Sequence, residues 1–170
     1  MNRRNIISLS AIAASALFTL PGSAFAQQEL LKEQLVGTWT LVSYDRVAVD
    51  GSKKPVFGAS KGSLMLDAGG HYMYLVADMI RNKWNSKDRT QTTAEEYAAA
   101  AKGLVAQFGI WSVDESAKVF TRKVEGALNP GLPGVEEKKS VVVSAEELRL
   151  SDPNSKLTDV KTEQVFRRAK

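Results

Sequence analysis

Gly62-Ser63-Leu64-Met65-Leu66-Asp67, Ala68-Gly69-Gly70 and His71-Tyr72-Met73-Tyr74-Leu75-Val76-Ala77-Asp78 read as two strands and the turn between them. Aromatic, β-branched and long apolar residues fill both arms, and the glycines supply the positive φ that a tight hairpin requires. Working outward toward the N-terminus, residues 51–61 are rich in Gly, Ser, Pro and Lys and read as a loop. Before them, residues 35–49 form a further strand, in which Gly37-Thr38-Trp39-Thr40-Leu41-Val42-Ser43-Tyr44 is β-branched and aromatic and Asp50-Gly51 supplies the turn.

Toward the C-terminus, residues 81–92 are a polar loop, and Thr93-Ala94-Glu95-Glu96 is a capping box. Tyr97, Ala101 and Leu104 recur at helical spacing, so a short amphipathic helix of about three turns is expected to end near Gly103 or just beyond, against an open end of the sheet. Five more strands follow at 106–113, 118–126, 135–144, 147–151 and 160–168. Their separators, Asp114-Glu115-Ser116-Ala117, Asn129-Pro130-Gly131-Leu132-Pro133-Gly134, Ala145-Glu146 and Asp152-Pro153-Asn154-Ser155, are turn chemistry. Eight short strands in series predict an all-β, antiparallel up-and-down barrel with one short helix between strands, because closure removes both exposed edges.

The N-terminus reads differently. Arg3 and Arg4 precede an apolar run, residues 6–20, that Pro21-Gly22 breaks before the small-x-small triplet Ala24-Phe25-Ala26. This is the pattern of a signal peptide cleaved after Ala26, with a run too short for a convincing membrane span. The expected domains are therefore a leader, residues 1–26, and a barrel, residues 27–170, in the periplasm or outside the cell. The Arg3-Arg4 pair also loosely resembles a twin-arginine signal, without its usual flanking residues, so both export routes stay open. Cleavage would remove Arg3 and Arg4 and halve the formal net charge of +4. The remaining charges are interleaved, as in Val135-Glu136-Glu137-Lys138-Lys139, which argues against a nucleic-acid partner. The chain has no cysteine, which excludes a lipoprotein anchor, disulfides and thiolate metal ligation, and the single histidine, His71, excludes a multi-histidine metal site. No metal or other cofactor is expected.

The order of short motifs carries a resemblance. The G-x-W of Gly37 and Trp39 in the first strand is followed by Lys61-Gly62, Glu95-Glu96-Tyr97 with its alanine run, Phe108-Gly109 with Trp111, Val113-Asp114-Glu115, Val124-Glu125-Gly126 and a closing Phe166-Arg167-Arg168. In this order over residues 35–168 the chain resembles the bacterial lipocalin-like domain family, calycin-type β-barrels related to the lipocalins and fatty-acid-binding proteins. It departs from the family at Leu128-Asn129-Pro130-Gly131-Leu132, where an aromatic Phe-Pro-Asn-Trp loop is common, and at Arg122 and Lys123, where histidine is common. The resemblance implies that Gly37 and Trp39 close one barrel end, with Arg167 or Arg168 laid on the indole.

Arg122 alternates with Phe120 and Val124 and should share their inward face. An inward arginine needs a partner, either an internal carboxylate or an anionic ligand head group. Tyr72, Tyr74, Trp84, Phe108 and Trp111 are candidates to line a cavity with it. Asp67, Asp78 and Glu125 sit at strand ends or on polar faces, and no catalytic motif is present. The expected function is binding of a small hydrophobic or amphipathic molecule inside the barrel. Two alternatives stand beside it: a barrel isomerase, cyclase or hydrolase for a small hydrophobic substrate, and a packed barrel acting as an envelope interaction module.

Overall fold

The computed structural model describes residues 30–152 and 161–170. The leader with its cleavage point after Ala26, and Pro153-Asn154-Ser155 of the last expected turn, lie outside the described residues. The strands are β1 (Gly37–Val47), β2 (Lys53–Pro55), β3 (Ser60–Leu66), β4 (His71–Asp78), β5 (Leu104–Asp114), β6 (Val119–Ala127), β7 (Glu136–Val143), β8 (Glu147–Ser151) and β9 (Lys161–Arg168). Helix α1 (Leu31–Leu35) precedes β1, and α2 (Ala94–Lys102) precedes β5.

All neighbouring strands are antiparallel, in the order β2-β1-β3-β4-β5-β6-β7-β8-β9, and a further pairing of β1 with β9 closes the sheet. Eight strands make the barrel. β1 gives one flank to β9 from Trp39 to Val47 and divides the other, pairing residues 37–40 with β3 and 45–47 with β2. The segment expected as a loop over 51–61 thus contains β2 and the first residues of β3. Its strand is short, fully exposed and ends on Pro55, so neither apolar alternation nor composition announces it. Across the outside of the seam, Glu163 accepts from Lys53 and from Arg149 Nη1 (2.9 Å), and Arg149 Nη2 reaches Glu147 (3.1 Å).

The first strand begins at Gly37, two residues later than expected, because Leu35 belongs to α1. In this five-residue helix Leu31 and Leu35 are one turn apart, and both are buried. Its first free amides, Leu31 N and Lys32 N, donate to the Glu115 carboxylate at 3.0 and 2.9 Å. Beneath it Trp39 Nε1 donates to Leu35 O at 2.8 Å, and the Arg168 guanidinium lies 4.1 Å from the indole centroid. Arg168 also donates to Gln34 O (2.6 Å), Ala145 O (2.8 Å) and Val36 O (3.0 Å). Of the two candidate arginines it is Arg168 that covers Trp39, while Arg167 points outward and is exposed. Gly37 has φ +136°, and a Cβ there would stand 2.9 Å from Arg168 Nη1, so both backbone and neighbour call for glycine. The result is a plugged end with an apolar core of Leu35, Trp39, Leu66, Phe120, Leu148 and Phe166.

α2 starts as expected: Glu96 N donates to Thr93 Oγ1 (3.2 Å) and Thr93 N to Glu96 Oε2 (2.9 Å). It stops at Lys102, and Leu104 opens β5 instead of extending the helix. No residue of α2 is fully buried, so it lies at the surface and does not plug an opening. Among the described residues no helix is long and apolar enough to cross a membrane.

Candidate functional site

Antiparallel pairing puts cross-strand partners on the same face, so the inward set follows from the register. Tyr74 faces Leu64 across β3 and β4, Gln164 faces Leu150 across β8 and β9, and Arg122 faces Trp111 on one side and Glu137 on the other. Gln107 and Glu137 stand near the starts of β5 and β7, the ends away from α1, whereas Phe120 and Phe166 lie toward the plug. The barrel is therefore layered, with apolar packing at the closed end and a polar cluster above it.

Arg122 is the centre of that cluster. Its residue is 2% exposed, and Nη2 lies 2.8 Å from Glu137 Oε2. The same carboxylate oxygen accepts from Gln107 Nε2 at 3.1 Å. The guanidinium lies 4.8 Å from the Tyr74 ring centroid and 5.8 Å from that of Tyr72, positions where the ring quadrupoles stabilise a partly desolvated cation. Gln164 Nε2 donates to Tyr74 Oη at 3.0 Å. Nearby, Lys139 Nζ is 3.5 Å from Asp152 Oδ2 and 3.3 Å from Thr162 Oγ1.

Burial raises the phenols of Tyr44 and Tyr74 above their ordinary value and pushes that of Tyr72 up to about 12, opposed in all three by the charge of Arg122. The Lys139 ammonium is lowered, first by burial, with Asp152 acting against the shift and Arg122 adding to it. Within this setting Tyr72 Oη, Gln107 Oε1, Arg122 Nε, Arg122 Nη1 and Gln164 Oε1 are buried and have no hydrogen-bond partner. Buried polar atoms are ordinarily paired, and these five are gathered around Arg122.

Three of the predicted cavity residues, Arg122, Tyr72 and Tyr74, come together here, and Phe120 and Val124 share the buried face of β6 with Arg122, as the alternation requires. The other three do not line it. Trp111 stands in register with Arg122, but its ring leans toward the plug, tilted against Phe120 with centroids 5.9 Å apart, and its Nε1 donates to Asp67 O at 3.2 Å. Phe108 has the opposite parity along β5, lies on the outer face and is 52% exposed. Trp84 sits in the segment before α2 with its ring edge-on to Tyr97, centroids 5.1 Å apart. His71 opens β4, is exposed, and its Nδ1 lies 3.0 Å from Asp67 Oδ2.

Tyr44, Gln107, Glu137, Lys139 and Gln164 escaped the sequence reading. Alternation carried the signal for four of them, since Gln107 precedes Gly109 and Trp111, Glu137 and Lys139 precede Val141, and Gln164 precedes Phe166, each at period two. For Tyr44 parity fails, because the register of β1 against β9 shifts between Leu41 and Ser43.

Phe108 belongs to a second feature, a hollow of about 450 Å³ on the outside of β3 to β6 with Met65, Met73, Leu75 and Leu128 around it. Comparison with curated proteins gives no match, and neither does comparison with solved structures. Residues 36–168, which include the whole barrel from β1 to β9, match the lipocalin-like domain family, and the chain belongs to that family.

Proposed function

We propose that this protein is exported to the periplasm or beyond the cell, with residues 1–26 removed, and there holds one small amphipathic molecule inside its barrel. The observation that carries the binding reading is the group of unpartnered atoms on Tyr72, Gln107, Arg122 and Gln164. Each such atom left unmet costs about 1–3 kcal/mol, so a molecule that meets several at once recovers much of its own ordering cost. Leu64, Val76 and Leu150 add apolar wall beside these polar groups, the mixture that suits a ligand with one polar end. The export reading rests on the Arg3-Arg4 start, the apolar run and Ala24-Phe25-Ala26.

Native mass spectrometry of the protein purified from its producing cells, under gentle conditions, tests both. The expected spectrum is a chain beginning at Gln27 with one small molecule attached, and on adding it back to extracted protein the side-chain amide NMR signals of Gln107 and Gln164 shift. A chain that retains residues 1–26 after export overturns the leader reading. An interior whose amide signals respond to no added amphiphile overturns the binding reading.

The outer hollow favours a second reading, an interaction module that works through its surface. Met65, Met73, Leu75, Phe108 and Leu128 expose apolar area on one side of the barrel, more than scattered single residues would. Shifts confined to the methyl groups of Met65 and Met73 would favour it over the interior site.

A further inference from the structure

We propose that the head group taken by the interior site is electrically neutral and carries both a hydrogen-bond acceptor and a donor, as a carboxamide does. This rests on the binding reading above and narrows it through two separate observations, the charge balance of the chamber and the kind of atoms left unmet.

Among the described residues, each interior cation already faces a carboxylate. Arg122 has Glu137 at 2.8 Å and Lys139 has Asp152 at 3.5 Å. An anionic head group arriving at Arg122 would stand beside the Glu137 carboxylate with, among the described residues, no additional unpaired cation to meet it, and like charges so placed in a poorly solvated site oppose one another. The internal carboxylate, and not a ligand, neutralises this arginine.

The unmet atoms are of both kinds. Arg122 offers Nε–H and Nη1–H, which only donate, and Tyr72 Oη can serve either way. Gln107 Oε1 only accepts, whereas Gln164 meets a tyrosine hydroxyl that suits either end of its amide. The orientation of Gln107 is fixed by chemistry, since a carboxylate accepts only and the amide must turn its nitrogen to Glu137 and its oxygen away. A fatty carboxylate brings acceptors alone and leaves the Gln107 oxygen unmet. An ester has the same deficiency. A carboxamide offers its carbonyl to Arg122 and its N–H to Gln107 or Gln164.

The test compares decanamide, decanoate and methyl decanoate, matched in tail, by titration into the purified protein near neutral pH, read at the Gln107 and Gln164 side-chain amide signals together, since Gln107 also borders the outer hollow and Gln164 does not. Decanamide is expected to bind about tenfold or more tightly than either competitor. Decanoate binding as well or better overturns the neutral-head inference and leaves the binding reading standing. Methyl decanoate matching decanamide overturns the requirement for a donor. If none of the three moves these signals, the binding reading itself fails. Glu137→Gln leaves Arg122 without its carboxylate and is expected to move the preference about tenfold toward decanoate. An unchanged ratio in a folded variant overturns the charge argument. Gln164→Leu removes one acceptor without touching that pair and is expected to narrow the gap between decanamide and methyl decanoate, and an unaltered gap counts against the assignment of Gln164.

Discussion

A lysine at position 168 would keep the charge of Arg168 and lose most of its function. The planar guanidinium reaches three carbonyls, Gln34 O, Val36 O and Ala145 O, while its face rests on Trp39. An ammonium is a point donor with no flat face, and it cannot hold three acceptors at those spacings and stack as well. Arg168→Lys is therefore expected to lower stability by about 2 kcal/mol, read as a fall in the urea midpoint with unchanged slope. A midpoint within error of wild type would show that the contacts contribute nothing net. The role of Arg122 is of another kind. Its inward direction was legible from its alternation with Phe120 and Val124, but its partner was not, because Glu137 lies on the next strand and only the register of β6 against β7 brings them opposite.

At the scale of elements, α1 shows how few residues seal a barrel. Its two leucines reach the core, and its exposed backbone amides are met by Glu115 from the far turn between β5 and β6. A five-residue helix has little stability of its own, so its position depends on these contacts. Leu35→Ala leaves a void above Trp39 and is expected to destabilise the protein by about 2–5 kcal/mol. Amide hydrogen exchange should quicken first at residues 31–36, and uniform acceleration across the barrel instead would mean that α1 is not a separate unit. The Leu31 to Leu35 spacing was a signal for this helix, masked by the strand pattern that begins at Gly37. The hairpin of β3 and β4 was legible nearly to the residue, because both arms alternate and the glycines fall in the turn. β2 was not, since its contribution is backbone pairing on an exposed flank, which leaves no pattern in side chains.

For the whole molecule, the buried phenols set a limit at high pH. Tyr44, Tyr72 and Tyr74 are all raised, so above about pH 10 the unfolded chain releases protons that the folded one keeps. Stability present below that pH is lost as the pH climbs toward about 12, the folded value for Tyr72. Lys139 works in the opposite sense: its value is lowered, so stability rises with pH until the unfolded lysine has titrated near about 10.4, and is level thereafter. The urea midpoint is expected to fall between about pH 10 and about pH 11.5, and to fall less in Tyr72→Phe. A midpoint that holds across that range would mean the phenols ionise inside the folded barrel. The up-and-down barrel could be read from eight alternating segments. Its polar layer could not, because the strands that build it are remote in sequence and the reading followed aromatic residues, of which Phe108 and Trp84 face elsewhere.

The pairing of β1 with β9 makes the beginning and the end of the domain immediate neighbours. A chain made from its N-terminus has every barrel pairing that does not involve β9 available before residues 161–168 exist, yet it keeps two raw edges, on β1 and on β8, until they do. Removing those last residues would bare both edges at once rather than shorten one sheet. Closure thus waits on β9, and until that strand pairs the polar cluster around Arg122 has no wall on the side of Gln164.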